Sequence, residues 1–233
     1  IMKFTVTGLK SSSDFIAYTY SYTNGQYAKH LVVSTKTLAP EPKEPSTNII
    51  FKNTDTDNLY ITWKDAPDSE GSLLLVSKDK PPIPPVDATL YEPNPVYGTS
   101  SSVNDGMTYA LYAGKKEFSN FLHITNLKYG TYYFQVYSYN GGLGDINYNL
   151  STTKSNPRSV TMKLPPPKLL DNFKYLGETV EIHWEKVEGA TTYEVQAAYD
   201  NKFANMLDNY DAVDVSNTLV YEVIAKNPEK EIY

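Results

Sequence analysis

The residues best suited to metal or acid–base chemistry are His30, His123 and His183, and they stand apart from one another. Each falls within a strand-like run of its own, with no second histidine or carboxylate at the spacing a metal ion needs. The chain has no cysteine, so thiol nucleophiles, thiolate metal sites and disulfide scaffolds are excluded and the redox compartment stays unread. Asn53-Thr54-Asp55-Thr56-Asp57-Asn58 has the opening of a calcium loop. Leu59 then stands at the fifth position, with no glycine at the sixth and no glutamate at the twelfth. Asp208, Asp211 and Asp214 read as a solvated acidic loop with room for weak cation binding. Gly142-Leu143-Gly144 lacks the third glycine and the helix of a dinucleotide loop, and no Gly-x-Ser-x-Gly elbow is present. No carboxylate pair has an evident cleft for glycoside hydrolysis. Asn149-Leu150-Ser151 fits a glycosylation acceptor, which matters only in a eukaryotic secretory setting. These residues predict a protein without catalytic residues, metal or cofactor.

Recognition chemistry is better represented, by 21 tyrosines, 8 phenylalanines and 2 tryptophans. Tyr18, Tyr20 and Tyr22 alternate, as do Tyr137 and Tyr139. Such rows either pair across strands or present rings to a sugar or a protein. A net charge of −6, with Arg158 the only arginine, offers no basic surface for nucleic acid. No apolar run approaches 18 residues, so membrane insertion by a helix is not expected.

The elements that must position these groups are short strands, punctuated by 15 prolines and 12 glycines. Residues 1–38 hold three strand signals with an Asn24-Gly25 hairpin turn, too few strands for a sandwich. Residues 39–46, with Pro40, Pro42 and Pro45, read as an extended, semi-rigid linker. Residues 47–163 carry a full set of strands. Leu59, Ile61 and Trp63 alternate, and Ser72 to Ser77 is a run fit for a strand buried on both sides or an inner edge. A long irregular insertion with Lys80-Pro81-Pro82-Ile83-Pro84-Pro85 follows, to about Gly106, and then strands are expected at Met107 to Tyr112 and Phe121 to Asn126. A strand after Leu127-Lys128-Tyr129-Gly130 puts Tyr133, Gln135, Tyr137 and Tyr139 on one face and Tyr132, Phe134 and Val136 on the other. Residues 164–167 read as a second linker. In 168–233, Val180, Ile182 and Trp184 alternate as Leu59, Ile61 and Trp63 do, before strands expected at Ala190 to Tyr199 and Thr218 to Val223.

These segments repeat. Leu127 and Tyr133 correspond to Leu9 and Phe15, Phe4 and Val6 to Leu122 and Ile124, and Trp63 to Trp184. Asn227-Pro228 and Tyr233 look like the same turn and aromatic again. The chain thus reads as the late part of one repeat, a second repeat whole and the early part of a third, within a longer array. The units resemble fibronectin type III domains, which are seven-stranded Greek-key sandwiches of roughly 100 residues. Trp63 and Trp184 sit where the family places a core tryptophan. Leu127-Lys128-Tyr129-Gly130-Thr131-Tyr132-Tyr133 is similar to its corner motif, with Tyr129 in place of the proline. The resemblance implies structural roles for Trp63, Leu127, Tyr133 and Trp184, the Tyr133 hydroxyl bonding a backbone group at the corner. Phe15 lacks that hydroxyl.

The expected fold class is therefore all-β, tandem fibronectin type III-like Greek-key sandwiches joined by Pro-rich linkers. The long insertion resembles an elaborated variant associated with large bacterial secreted or surface proteins and bacteriophage virion proteins. From this we expect a non-catalytic structural or adhesive segment of an extracellular, cell-surface or virion protein. It would space domains and contact other protein subunits or surface glycans, with homo-oligomerisation inside a larger assembly. The alternative is a set of accessory modules in a large secreted carbohydrate-active enzyme. The candidate contact surface is the insertion and the strand after it, with Tyr91, Tyr97, Tyr109 and Tyr112.

Overall fold

The computed structural model describes residues 5–52, 58–100, 102–103, 105–116, 120–170, 174–176 and 178–224. Among them are strands and turns and no helix. The chain divides into two compact units, Ile1–Met162 and Lys163–Tyr233, so the boundary expected at 39–46 lies inside the first.

The first unit opens with a small antiparallel ladder. β1 (Asp14–Thr19) pairs with β4 (Leu31–Lys36), and a hairpin of β2 (Tyr22–Thr23) and β3 (Gln26–Tyr27) sits at its tip. Asn24 and Gly25 both take positive φ, as a tight two-residue hairpin turn requires. Both faces of this ladder carry exposed apolar side chains, among them Ile16, Tyr18, Leu31, Val32 and Val33.

Eight further strand segments make the middle of the chain. β5 (Thr47–Lys52), β6 (Leu59–Lys64) and β9 (Asn120–Ile124) form one sheet in the order β5-β6-β9. β7 (Gly71–Lys78), β8 (Thr108–Lys115), β10 (Gly130–Asn140), β11 (Asn147–Tyr148) and β12 (Arg158–Met162) form the other. There β7 lies between β8 and β10, and β10 is paired on its far side by β11 and β12. The inner faces share one core, in which Ile49, Leu59, Ile61, Trp63 and Ile124 of the first sheet meet Leu74, Val76, Leu111, Phe134, Val136 and Met162 of the second. This arrangement is an immunoglobulin-like β-sandwich.

β7 is buried along nearly its whole length, as its continuous apolar run predicts. A second cluster explains why. Leu73, Leu75, Ala110, Tyr137 and Tyr148 point away from the sandwich core and are covered by Val103, with Ile83 and Tyr91 packed against them. Parts of the insertion, at Ile83, Tyr91 and Val103, thus fold back over the outer face of the second sheet as a third layer. The alternation of Tyr137 and Tyr139 marks their side of the strand and leaves open what lies above it. Tyr137 is fully buried, and Tyr139 is only partly exposed.

The second unit has a three-stranded sheet of β13 (Lys174–Leu176), β14 (Thr179–His183) and β17 (Val220–Ile224), in the order β13-β14-β17. β15 (Glu194–Val195) pairs with β16 (Val213–Asp214). Its core gathers Trp184, Tyr193, Val195, Leu207, Tyr210 and Val223. The strand expected from Ala190 to Tyr199 is reduced to β15, because the chain turns sharply at Asp200. That carboxylate accepts N–H bonds from Lys202, Ala204 and Asn205 at 2.9, 3.2 and 2.7 Å. The stretches Asn53–Asp57 and Asn227–Tyr233, read above as a calcium-like opening and a third corner, lie outside the described residues, as does Phe4.

Candidate functional site

The four tyrosines of the expected contact surface fall in three places. Tyr97 and Tyr109 meet edge to face at 5.2 Å, and Tyr97 meets Tyr132 in the same way at 5.0 Å. Tyr112 stands edge-on to Trp63 at 5.1 Å, and its hydroxyl donates to the Lys115 carbonyl. Tyr91 lies on the opposite side of the second sheet, near Tyr148, where its hydroxyl accepts the Val86 N–H at 2.9 Å. All four are partly buried and packed against a core cluster, so they do not form one exposed face. The placement has a simple cause: the insertion's apolar residues cover the sheet that carries it. Burial, with the neighbouring tyrosines, pushes the Tyr97 hydroxyl up to about 12.

The second half of the insertion closes an edge. Asn94 N–H donates to the Ala110 carbonyl of β8 at 3.0 Å, and Tyr97 N–H donates to the Thr125 carbonyl beyond β9 at 3.0 Å. Asn126 returns a bond from its Nδ2 to the Tyr97 carbonyl at 2.9 Å. The gap between the two sheets on that side is thereby bridged, which removes free strand edges.

Trp63, Leu127 and Trp184 are buried core residues. Trp63 Nε1–H donates to Asp65 at 3.0 Å, whereas the indole N–H of Trp184 has no partner among the described residues. The corner tyrosine is Tyr132 rather than Tyr133. Tyr132 is 1% exposed in the sandwich core with the Lys128 backbone against its hydroxyl, while Tyr133 is half-buried on the other face. Two adjacent tyrosines satisfy the motif almost equally, and the register of β10 against β12, with Tyr132 opposite Val160, decides between them.

Sequence reading missed a set of asparagines. Residues 39–46 lie extended along the middle sandwich, and their carbonyls are held by side-chain amides. Asn147 Nδ2 donates to Ala39 O at 2.8 Å, Asn140 to Pro40 O at 2.9 Å, Asn149 to Pro42 O at 2.6 Å and Asn156 to Ser46 O at 2.8 Å. Ser138 Oγ donates to Glu44 O at 2.9 Å, and Asp68 accepts the Lys43 N–H at 2.7 Å. Proline has no N–H but keeps its carbonyl, so an arm rich in proline is a row of acceptors that side-chain donors can grip. Ala39 also donates its N–H to Asp145 O at 2.7 Å, and Lys36 pairs with the Asp145 carboxylate at 2.8 Å. The Lys36 ammonium, helped by the Gly142 N–H, holds the Asp145 carboxyl down at about 2. The available signal was Asn147 and Asn149 alternating in a strand, where asparagine is disfavoured.

Tyr18, Tyr20 and Tyr22 are 54%, 54% and 63% exposed. His30 lies 5.1 Å from the Tyr18 ring and 5.3 Å from the Tyr20 ring, and Tyr27 lies 5.8 Å from Tyr20 and 4.9 Å from Tyr22. Together they form a continuous aromatic row. The three histidines stay apart, His30 just before β4, His123 in β9 and His183 in β14. His123 stacks on Tyr60 at 4.4 Å, and His183 meets Glu181 at 2.7 Å, a carboxylate two residues back on the same strand face that the spacing argument overlooked. Of the acidic loop, Asp214 caps its own turn, accepting the Thr192 hydroxyl and the Ser216 N–H, which lower its pKa. Asp208 lines a cavity of about 310 Å³ with Tyr199, Tyr210 and Tyr221, and it is the only carboxylate among the described residues that line it.

No protein-family model matches the chain, and no curated protein matches it. Among solved structures, the chicken CNTN1 FN1–FN3 domains match at 14% identity and a TM-score of 0.25, over 95% of this chain and 69% of that one. A likeness that loose carries no inference, and the all-β, immunoglobulin-like fold rests on the strand order and shared core described above.

Proposed function

We propose that the chain is a non-catalytic structural segment of tandem fibronectin type III-like modules, belonging to a large extracellular or virion protein and contacting protein or glycan partners. The observation that supports this reading most directly is the arm at 39–46. A flexible linker makes few contacts and leaves its modules to reorient. Here the carbonyls of Ala39, Pro40, Pro42, Glu44 and Ser46 are each bonded to the middle sandwich. Such a joint fixes an angle, which is what a spacer in a large assembly needs. Backbone NMR relaxation on the full chain tests it. The β1–β4 ladder and the middle sandwich should tumble with one correlation time, and Asn147→Ala with Asn149→Ala should separate them. Independent tumbling of the unaltered chain overturns the reading.

A further inference from the structure

The cavity of the second unit, about 310 Å³, stands at the small end of the roughly 300–1,000 Å³ that ligand pockets occupy. Three tyrosines line it from three separate stretches of chain: Tyr199 beyond β15, Tyr210 in the loop before β16, and Tyr221 in β17. Leu207 and Ile224 supply its aliphatic wall.

The main chain holds these walls in place. Leu207 N–H donates to the Ala197 carbonyl at 2.7 Å, Ala197 N–H to the Tyr210 carbonyl at 3.1 Å, and Tyr199 N–H to the Asn205 carbonyl at 2.8 Å. The Tyr210 hydroxyl accepts the Ile224 N–H at 2.8 Å, which fixes that ring against the end of β17. Leu207 and Tyr210 belong to the buried core, and Tyr199 and Tyr221 pack against it. The rings are therefore set before any ligand arrives.

The geometry and the charge both suit a cation. Tyr210 and Tyr221 meet at 6.4 Å and 73°, so one small cation can lie within about 6 Å of both ring centroids. The Asp208 carboxylate lines the same cavity and has no partner among the described residues. Among the described residues that line it, none is cationic. Between Tyr199 and Ile224 five carboxylates stand against the one ammonium of Lys202, so the local potential favours positive charge.

We propose that this cavity binds a methylated ammonium group, of the kind carried by choline or by a trimethylated lysine side chain. A primary ammonium is compact and strongly hydrated, and it needs acceptors on every side to replace its water. Methyl groups carry the same charge under an apolar surface, which fits against the tyrosine rings, Leu207 and Ile224. A neutral sugar would gain the ring contacts and none of the charge attraction. The site stands on the second unit alone and does not depend on the joint at 39–46.

The test is titration of the full chain with choline chloride at constant ionic strength, followed by NMR of the tyrosine ring signals. Saturable shifts centred on Tyr199, Tyr210 and Tyr221 are expected. Dimethylbutanol, the uncharged carbon analogue of choline, and ethanolamine should each bind at least about tenfold more weakly. Asp208→Asn should weaken choline binding several-fold without disturbing the fold, because Asp208 is exposed. Tyr221→Phe should keep it. Phosphocholine and Nε-trimethyl-lysine then distinguish the two sources of the group, and tighter binding of either supports the site. No saturable shift overturns the proposal. Equal binding of choline and dimethylbutanol overturns it in favour of a merely apolar pocket, and equal binding of ethanolamine in favour of any ammonium. Tighter binding of methyl glucoside at the same rings makes the cavity a sugar site and overturns it too. None of these outcomes touches the tumbling test of the joint, so the two readings can fail separately.

Discussion

The side chain of Asn156 is hydrogen-bonded to both main-chain groups of Val136: its Oδ1 accepts the Val136 N–H at 3.0 Å, and its Nδ2 donates to the Val136 carbonyl at 2.7 Å. β10 is paired by β12 up to Phe134 and by β11 from Tyr139, so its edge would otherwise lie open between them. One carboxamide does the work of a strand residue there, and it holds the arm at Ser46 as well.

Asn156→Ala should therefore cost about 3 kcal/mol, since it strands buried main-chain donors and acceptors and not merely a side chain. Urea unfolding of the first unit reads this directly. Asn149→Ala removes one bond to the arm and one to the Ser151 N–H, and a smaller loss, about 1 kcal/mol, is expected.

Gly141 seats the arm. It takes φ +86°, and a Cβ there would lie 2.7 Å from the Ala39 methyl and 2.8 Å from the Asp145 carbonyl oxygen. Gly141→Ala should displace residues 39–46 while leaving the sandwich folded. Hydrogen exchange at Ala39 and Lys43 should accelerate at least tenfold, with β7 and β10 unchanged.

The joint should also respond to acid. The Asp145 carboxyl is held down at about 2 from its ordinary 3.8, chiefly by Lys36, so the folded state favours the ionised form. Its contribution is complete above the unfolded-state value and is lost as pH falls through the folded one, in the window from about 4 to 2. Exchange at Ala39 should rise across that window, and Asp145→Asn should remove the dependence.

Tyr97 locks the insertion to the sandwich end. Ultraviolet titration should show a phenolate that forms only near pH 12 and disappears in Tyr97→Phe. Tyr97→Ala should lower stability by about 2 kcal/mol, from the lost ring packing against Tyr109 and Tyr132.

Alternation carried the fold well where one face of a strand meets a core. Leu59, Ile61 and Trp63 are all buried, and the run at 72–77 announced a strand covered on both sides. It failed where the deciding partner is distant in sequence. Asn149 lies 107 residues from Pro42 and Asn156 lies 110 from Ser46, so nothing local marks residues 39–46 as gripped. What covers Tyr137 stayed open for the same reason, because its cover comes from an insertion folding back from across the sheet. The corner slipped by one residue because both Tyr132 and Tyr133 are aromatic, and only pairing with β12 separates them.

An arm that is already drawn out stores almost no slack. Pulled along the chain, residues 39–46 would let go of their asparagines and add little reach. Unravelling the 116 residues from 47 to 162 would release several hundred Å, at about 3.4 Å each. Under tension the joint is a stiff tether, and extensibility resides in the sandwich it is fastened to.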